Sequence, residues 1–246
     1  MEKIALVTGS TNNVGRRIAE TLSGDGFLVV ITSRRENEAK QTAEHLPKKG
    51  AFYQVDFSDA GQIEGLFSFI KETFGRLDVL VNNVAYTQNE SILDCTLENW
   101  ERTINTNLRS YFLCTKLAAQ IMKENGGGNI VNITIFSTRG GRNKFSYIVS
   151  KGGINSLTGC AAADLAKYNI RVNAVGIGPT GTPVGSKDYP ERKRGYENPS
   201  SLAGHIGDPL DIARVVSFLV SEKARYIFGA ILNVDGGAGL SQYFDR

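Results

Sequence analysis

Residues 4–15 read Ile4-Ala5-Leu6-Val7-Thr8-Gly9-Ser10-Thr11-Asn12-Asn13-Val14-Gly15. Ile4–Thr8 is a continuous apolar run with a polar end, as expected of a strand covered on both faces. A polar, glycine-bearing turn breaks it, and Val14–Gly24 follows with apolar residues at helical spacing. A glycine-rich turn between a buried strand and a helix N-terminus aims backbone N–H groups at an anion, most often a pyrophosphate. Two glycines alone describe any tight strand-to-helix turn. The surrounding chain decides whether this one is a phosphate cradle.

Outward from that turn, apolar runs alternate with amphipathic stretches. Phe27–Ser33, Phe52–Asp56, Leu77–Asn82, Asn129–Thr134, Ile170–Val175 and Ala230–Val234 join Ile4–Thr8 as strand candidates. Helical patterns fill the intervals as Glu36–Leu46, Ala60–Phe74, Leu97–Lys123, Phe145–Tyr168 and Pro209–Ser221. Strict alternation of this kind predicts an α/β fold with a doubly wound, seven-stranded parallel sheet and helices on both faces. Right-handed crossovers place its ligand crevice at the carboxyl ends of the strands. There is no internal repeat and no linker, so residues 1–246 read as one domain. The single irregular stretch, Gly181–Gly207, is rich in Pro, Gly, Ser and charge and reads as a lid over the crevice.

The bulk numbers set limits. The chain has 246 residues, 41% hydrophobic and 22% charged, which is ordinary globular composition. A net charge of +3, spread evenly, gives no footprint for nucleic acid or a membrane surface. Cys95, Cys114 and Cys160 form no CxxC and no metal spacing, which predicts reduced thiols, a cytoplasmic location and no metal site. The strand at the extreme N-terminus leaves no room for a signal peptide. No apolar run approaches the ~20 residues of a membrane span.

Tyr147-Ile148-Val149-Ser150-Lys151 carries chemistry. On a helix, positions i and i+4 share a face, so a phenol stands beside an ammonium. The positive charge stabilises phenolate and brings the tyrosine toward working pH as an acid and base. Alone, the pair also describes a plain surface contact.

With the turn at Thr8–Gly15, these residues resemble the short-chain dehydrogenase/reductase family. That family's turn reads TGxxxGxG, matched here at Thr8, Gly9 and Gly15, with Asn13 at the middle glycine. Asparagine tolerates left-handed backbone better than other non-glycine residues. Asn82-Asn83-Val84-Ala85 resembles the family's NNAG turn, with alanine for the glycine. Asn173-Ala174-Val175-Gly176-Ile177-Gly178-Pro179-Thr180-Gly181-Thr182 resembles its NAVAPGxxxT, with Ile177 for the proline. Gly207-Asp208-Pro209 through Gly236-Gly237 extends the likeness to almost the whole chain.

The resemblance implies a single-domain Rossmann fold, a nicotinamide cofactor and a small carbonyl or alcohol substrate. Gly9, Asn12, Asn13, Val14 and Gly15 would cradle the pyrophosphate. An NAD enzyme usually offers a carboxylate after the second strand, whereas this chain offers Ser33-Arg34-Arg35, which predicts NADP(H). Asp56 would receive the adenine amino group, with Phe57, Asn83 and Val84 along the adenine-ribose path. Gly178, Thr180 and Thr182 would hold the nicotinamide side. Tyr147 would be the acid/base, Lys151 its partner and a holder of the ribose hydroxyls, and Asn107 the residue that perturbs its helix and holds a water of the proton relay.

The oxyanion-side hydroxyl is ambiguous. Counting back from Tyr147 gives Thr134, alignment along the fifth strand gives Ile135, and Ser137 shares the face of Ile135 by strand period. Ser137 is preferred. Tyr86, Gln88, Asn143, Phe145 and Ile177 are expected around the substrate. The family's use of the helices in Leu97–Lys123 and Phe145–Tyr168 as a two-fold interface predicts a homotetramer, or next a dimer. The main expectation is NADPH-dependent reduction of a ketone, or its reverse. A dehydratase or epimerase on the same fold, and a non-catalytic NADPH-binding regulator, are the alternatives.

Overall fold

A computed structural model describes residues 2–138, 140–181 and 201–240. Seven parallel strands form one sheet in the order β3-β2-β1-β4-β5-β6-β7. They are β1 (Ile4–Val7), β2 (Leu28–Ser33), β3 (Ala51–Gln54), β4 (Val79–Asn82), β5 (Gly128–Ile135), β6 (Ile170–Ile177) and β7 (Ile231–Val234). The helices are α1 (Asn13–Gly24), α2 (Glu36–Glu44), α3 (Ala60–Phe74), α4 (Leu97–Ile104), α5 (Ser110–Glu124), α6 (Phe145–Leu165) and α7 (Pro209–Val220).

The predicted strands are all present, displaced by one or two residues at their ends. Central strands are apolar on both sides because helices cover both. β1 and β4 are fully buried along their length. One core joins alternate strand residues to α1, α2 and α7, through Ile18, Leu22, Ala39, Ile212 and Val216. The other joins the remaining residues to α3, α5 and α6, through Leu66, Ile70, Ala118, Met122 and Ala161. The strands that carry exposed residues are β3 and β7, at the two edges.

Local chemistry starts and stops the helices where the sheet needs them. Asp59 caps α3 by accepting from the backbone N–H groups of Gly61 and Gln62, and Gly75 ends it in left-handed conformation at φ 67°. Asp208 and Asp211 form a capping box on α7, with Pro209 just inside it. The predicted helix Leu97–Lys123 is one continuous rod, perturbed around Asn107. Residues Asn105–Arg109 form a π turn that divides α4 from α5.

β1 sits between β2 and β4, and the chain leaves it in opposite directions across the sheet. That reversal opens a crevice at the carboxyl ends of β1 and β4, where loops from the two sides part.

Candidate active site

The turn after β1 is fixed by two close approaches. Gly9 has φ 62°, and a Cβ there would lie 3.2 Å from Val84 Cα. A Cβ on Gly15 would lie 2.3 Å from the Gly9 carbonyl oxygen, closer than any real contact. Asn13 adopts φ 46°, the left-handed geometry its glycine counterpart would take.

Thr8 and Asn83 tie this turn to the loop after β4. Thr8 Oγ1 accepts from the backbone N–H of Asn83 at 2.8 Å and of Val84 at 3.0 Å. Asn83 Nδ2 donates to the Thr8 and Gly9 carbonyls at 2.9 and 3.0 Å. The Asn83 side chain therefore builds the wall of the crevice and is spent on protein contacts. Thr32 adds a third tie, accepting from Gly9 N at 3.0 Å and donating to Val7 O at 3.1 Å. Sequence reasoning gave Thr32 no role, because a threonine inside a strand carries no signal until its neighbour strand is known.

The turn fits an anion. The N-cap residue of α1, Asn12, makes no side-chain hydrogen bond to the first turn, and no acidic residue stands in that turn. Its N–H groups are thus left to a ligand. Asn13 Oδ1 is buried without a partner. At the end of β2, Ser33 Oγ accepts from Arg35 N at 3.1 Å, and Arg35 pairs with Glu38 at 3.0 Å. Arg34 makes no ion pair among the described residues, so its guanidinium is open to a phosphate. Asp56 Oδ1 accepts from Ser58 N and Oγ, and Phe57 is buried beside it. All of these line one cleft of about 660 Å³ that continues past Val84 to Tyr86, Tyr147 and Lys151.

At the far end, α6 presents Tyr147 and Lys151 on one face. Lys151 is 2% exposed. Its Nζ donates to the Ile133 carbonyl at 2.9 Å and lies 5.7 Å from the Tyr147 ring centroid and 5.3 Å from that of Tyr111. Burial pulls the lysine down to about pKa 7. Tyr111, wholly enclosed, also donates to the Ile133 carbonyl, at 3.1 Å, and burial raises its phenol well above the usual value. Tyr111 lies one helical turn beyond Asn107, a spacing that placed it on the same face and that sequence reasoning passed over.

Asn107 is completely buried in the π turn. It accepts from Tyr86 N at 2.7 Å and donates to Tyr86 O at 2.9 Å and to Ser150 Oγ at 3.0 Å. It thereby holds the loop after β4 against the helix that carries Tyr147.

The hydroxyl candidates separate clearly. Thr134 is buried on the α6 face of β5, and its Oγ1 donates to the Lys151 carbonyl at 3.2 Å. Ile135 pairs with Ile177 at the strand end, so alignment along the strand puts an apolar residue there. Ser137 lies two residues beyond β5, half-buried, and is not among the described residues lining the cleft.

Other expectations shift. Tyr86 and Ile177 line the cleft. Phe145, expected at the substrate, lies instead against Trp100, with ring centroids 5.8 Å apart. Asn143, at φ 57°, and Phe145 form a backbone strap with Glu90: Glu90 N donates to Asn143 O and Phe145 N to Glu90 O. Glu90 itself is 4% exposed, and its carboxylate accepts from Ser146 Oγ and Cys95 Sγ. Nothing in the sequence marked Glu90, since its partners come from three separate segments. Gly178 is required by packing, because a Cβ would lie 2.5 Å from Asp235 Cα. Thr180 Oγ1 turns back to the Gly178 carbonyl at 3.0 Å. Thr182 and most of the expected lid, 182–200, lie outside the described residues.

A crevice that runs from a glycine turn to a tyrosine beside a buried lysine matches the site expected of a dinucleotide-dependent oxidoreductase. The particular family follows from comparison. The family described as enoyl-(acyl carrier protein) reductase matches residues 9–239. The 3-oxoacyl-(acyl-carrier-protein) reductase FabG of Haemophilus influenzae is 35% identical over 240 residues, 97% of this chain and 99% of that protein. A short-chain dehydrogenase/reductase of Armillaria gallica is 37% identical over 96% of this chain and 95% of its own. Acetoin dehydrogenase YohF from Salmonella typhimurium superposes with a TM-score of 0.87 at 32% identity, covering 98% of this chain and 97% of that one. The chain belongs to the short-chain dehydrogenase/reductase family and is an oxidoreductase of that family.

Proposed function

We propose that the protein is a cytoplasmic NADPH-dependent oxidoreductase that interconverts a ketone and an alcohol, with Tyr147 as the group that gives and takes the proton. The observation that carries this reading is the burial of Lys151 beside Tyr147 at one end of a cleft whose other end offers Arg34, without a carboxylate partner among the described residues. A nicotinamide dinucleotide, when bound, supplies or removes the hydride.

The chain's own residues divide the remaining work. The Gly9–Gly15 backbone, with Asn12, Asn13 and Val14, and the α1 N-terminus hold the pyrophosphate. Ser33 and Arg34 take the 2′-phosphate, a charge-assisted contact that a 2′-hydroxyl does not make. Asp56 and Phe57 receive the adenine, Val84 the ribose, and Gly178, Thr180 and Thr182 the nicotinamide side. In reduction Tyr147 Oη donates its proton to the carbonyl oxygen, and in oxidation it takes that proton back. An ammonium at Lys151 favours the phenolate this leaves. Asn107 keeps the Tyr86 loop and α6 in register around the reacting atoms. With Thr134 turned to the helix backbone, the hydroxyl proposed for the carbonyl oxygen is Ser137, two residues beyond β5 and outside the described lining of the cleft. The protein acts as a homotetramer, with a dimer next, through α5 and α6.

Two variants test this. Tyr147→Phe should lower turnover of NADPH with any accepted ketone by ~10²–10⁴-fold while cofactor binding persists. Arg34→Ala should weaken NADPH by roughly 10–100-fold and leave NADH nearly unchanged, read by nicotinamide fluorescence. Equal loss for both cofactors would sink the phosphate assignment. The apolar Ile135 at the strand end favours one second reading, a dehydratase or epimerase, which would form product without net cofactor oxidation.

A further inference from the structure

The substrate end of the cleft carries positive charge that proton transfer does not use. Arg102 stands in the last turn of α4, with its guanidinium carbon 4.3 Å from the centroid of the Tyr86 ring. Glu98, four residues earlier on the same helix, is its natural ion-pair partner. Arg102 makes no ion pair with any described residue, Glu98 included. It lies on an aromatic face instead, which fixes the guanidinium plane and leaves its N–H edge for a planar acceptor with two oxygens.

Tyr86 is a firm platform. Its hydroxyl donates to Gln88 Oε1 at 2.7 Å, and its backbone N–H and C=O are both taken by Asn107. A second cation contacts two of the residues that line this cleft. Lys144 Nζ lies 5.6 Å from the Tyr147 ring centroid and donates to Thr87 Oγ1 at 3.4 Å. Tyr86, Thr87, Arg102 and Tyr147 line one cleft. The carboxylates lining the cleft are engaged elsewhere, Glu38 with Arg35 and Asp56 with Ser58, and Glu90 accepts from Ser146 and Cys95.

We propose that Arg102 stacked on Tyr86, with Lys144 beside Tyr147, is a recognition site for a substrate carboxylate, and that the substrate is an oxo acid whose ketone meets Tyr147 while its carboxylate lies on Arg102. The substrate class rests on the reading of Tyr147 as the group at the reacting carbonyl. The carboxylate site itself rests on Arg102 and its surroundings. A guanidinium fork binds a carboxylate through two parallel hydrogen bonds, and a mouth of like charge gathers anions from solution.

The test uses the full chain loaded with NADP⁺. Calorimetry measures binding of a series of short 2-oxo and 3-oxo carboxylates and of their methyl esters, and turnover with NADPH is followed separately. At least one acid should bind roughly 10–100-fold more tightly than its ester. Arg102→Gln should abolish that preference with the Kd of NADPH unchanged, Arg102→Lys should restore part of it, and Lys144→Gln should weaken it. Arg102 is exposed, so these variants are expected to fold. Acid and ester binding alike, or no oxo acid binding at all, overturns the proposal. Loss of NADPH affinity in Arg102→Gln also overturns it, assigning the guanidinium to the cofactor's phosphates. A phosphorylated ketone preferred over every oxo acid overturns the carboxylate assignment. Charge-selective binding without turnover of any ketone keeps the carboxylate site and removes the reductase reading, so the two failures are distinct.

Discussion

Lys151 sits where its charge is costly, and the role proposed for it requires that charge. It is enclosed, its Nζ meets one carbonyl and lies over two aromatic rings, and its pKa is drawn from 10.5 to about 7. A lysine whose folded value lies below its unfolded value opposes folding while it is protonated. The cost is complete below about pH 7 and fades as pH rises through that value toward 10.5, where both states are neutral. Lys151→Met should therefore raise the unfolding free energy of the cofactor-free protein by ~2–4 kcal/mol near neutrality. The advantage should shrink toward alkaline pH in denaturant titrations; an advantage growing with pH would contradict the assignment. The Ile133 carbonyl keeps its Tyr111 donor in that variant, so no acceptor is stranded.

At the scale of elements, the rod formed by α4, the π turn and α5 does what a regular helix would not. The wider turn brings Asn107 inward, where its one carboxamide satisfies both backbone groups of Tyr86 and reaches Ser150 on α6. Replacing it leaves two part-buried backbone groups without their Asn107 partner. Asn107→Ala should cost ~2–4 kcal/mol of stability in chemical denaturation. A cost under ~0.5 kcal/mol, the range of surface substitutions, would show that the loop after β4 is held by other contacts. The N-terminus of α6 is held as well, by the strap at Glu90 and by the bond from Ser146 to the Glu90 carboxylate. Tyr147 is thus placed by contacts on either side of it in sequence, at Ser146 and Ser150.

Across the whole molecule, the sheet order sets the cleft between the β1–α1 turn and the loop after β4, and a separate surface follows from the helices. α5 and α6 leave an apolar groove of about 320 Å³ lined by Phe112, Ala119, Leu157 and Ala161, with Phe112 48% exposed. An apolar face of this kind on paired helices suits a second copy of the chain. Phe112→Glu should shift the sedimenting species toward the monomer while leaving the far-ultraviolet dichroism intact. An unchanged mass would remove these helices from the assembly. Among the described residues, no helix is long and apolar enough to cross a membrane.

The order of strands and helices was legible in the sequence because alternation of apolar runs and amphipathic stretches is imposed by burial on two faces, residue by residue. The Gly9–Gly15 turn and the Tyr147–Lys151 pair were legible for a similar reason: each is local, a turn that excludes side chains and two positions one helical turn apart. What those residues meet was not legible. The commitment of Thr134 to the Lys151 carbonyl, the stacking of Phe145 on Trp100 and the burial of Glu90 all depend on segments distant in the chain. Neither the π turn at Asn107 nor the seat of Arg102 on Tyr86 could be read from spacing. Both depend on how the loop after β4 packs against α4 and α6, and three-dimensional packing, rather than local periodicity, decides which polar groups find partners and which remain for a ligand.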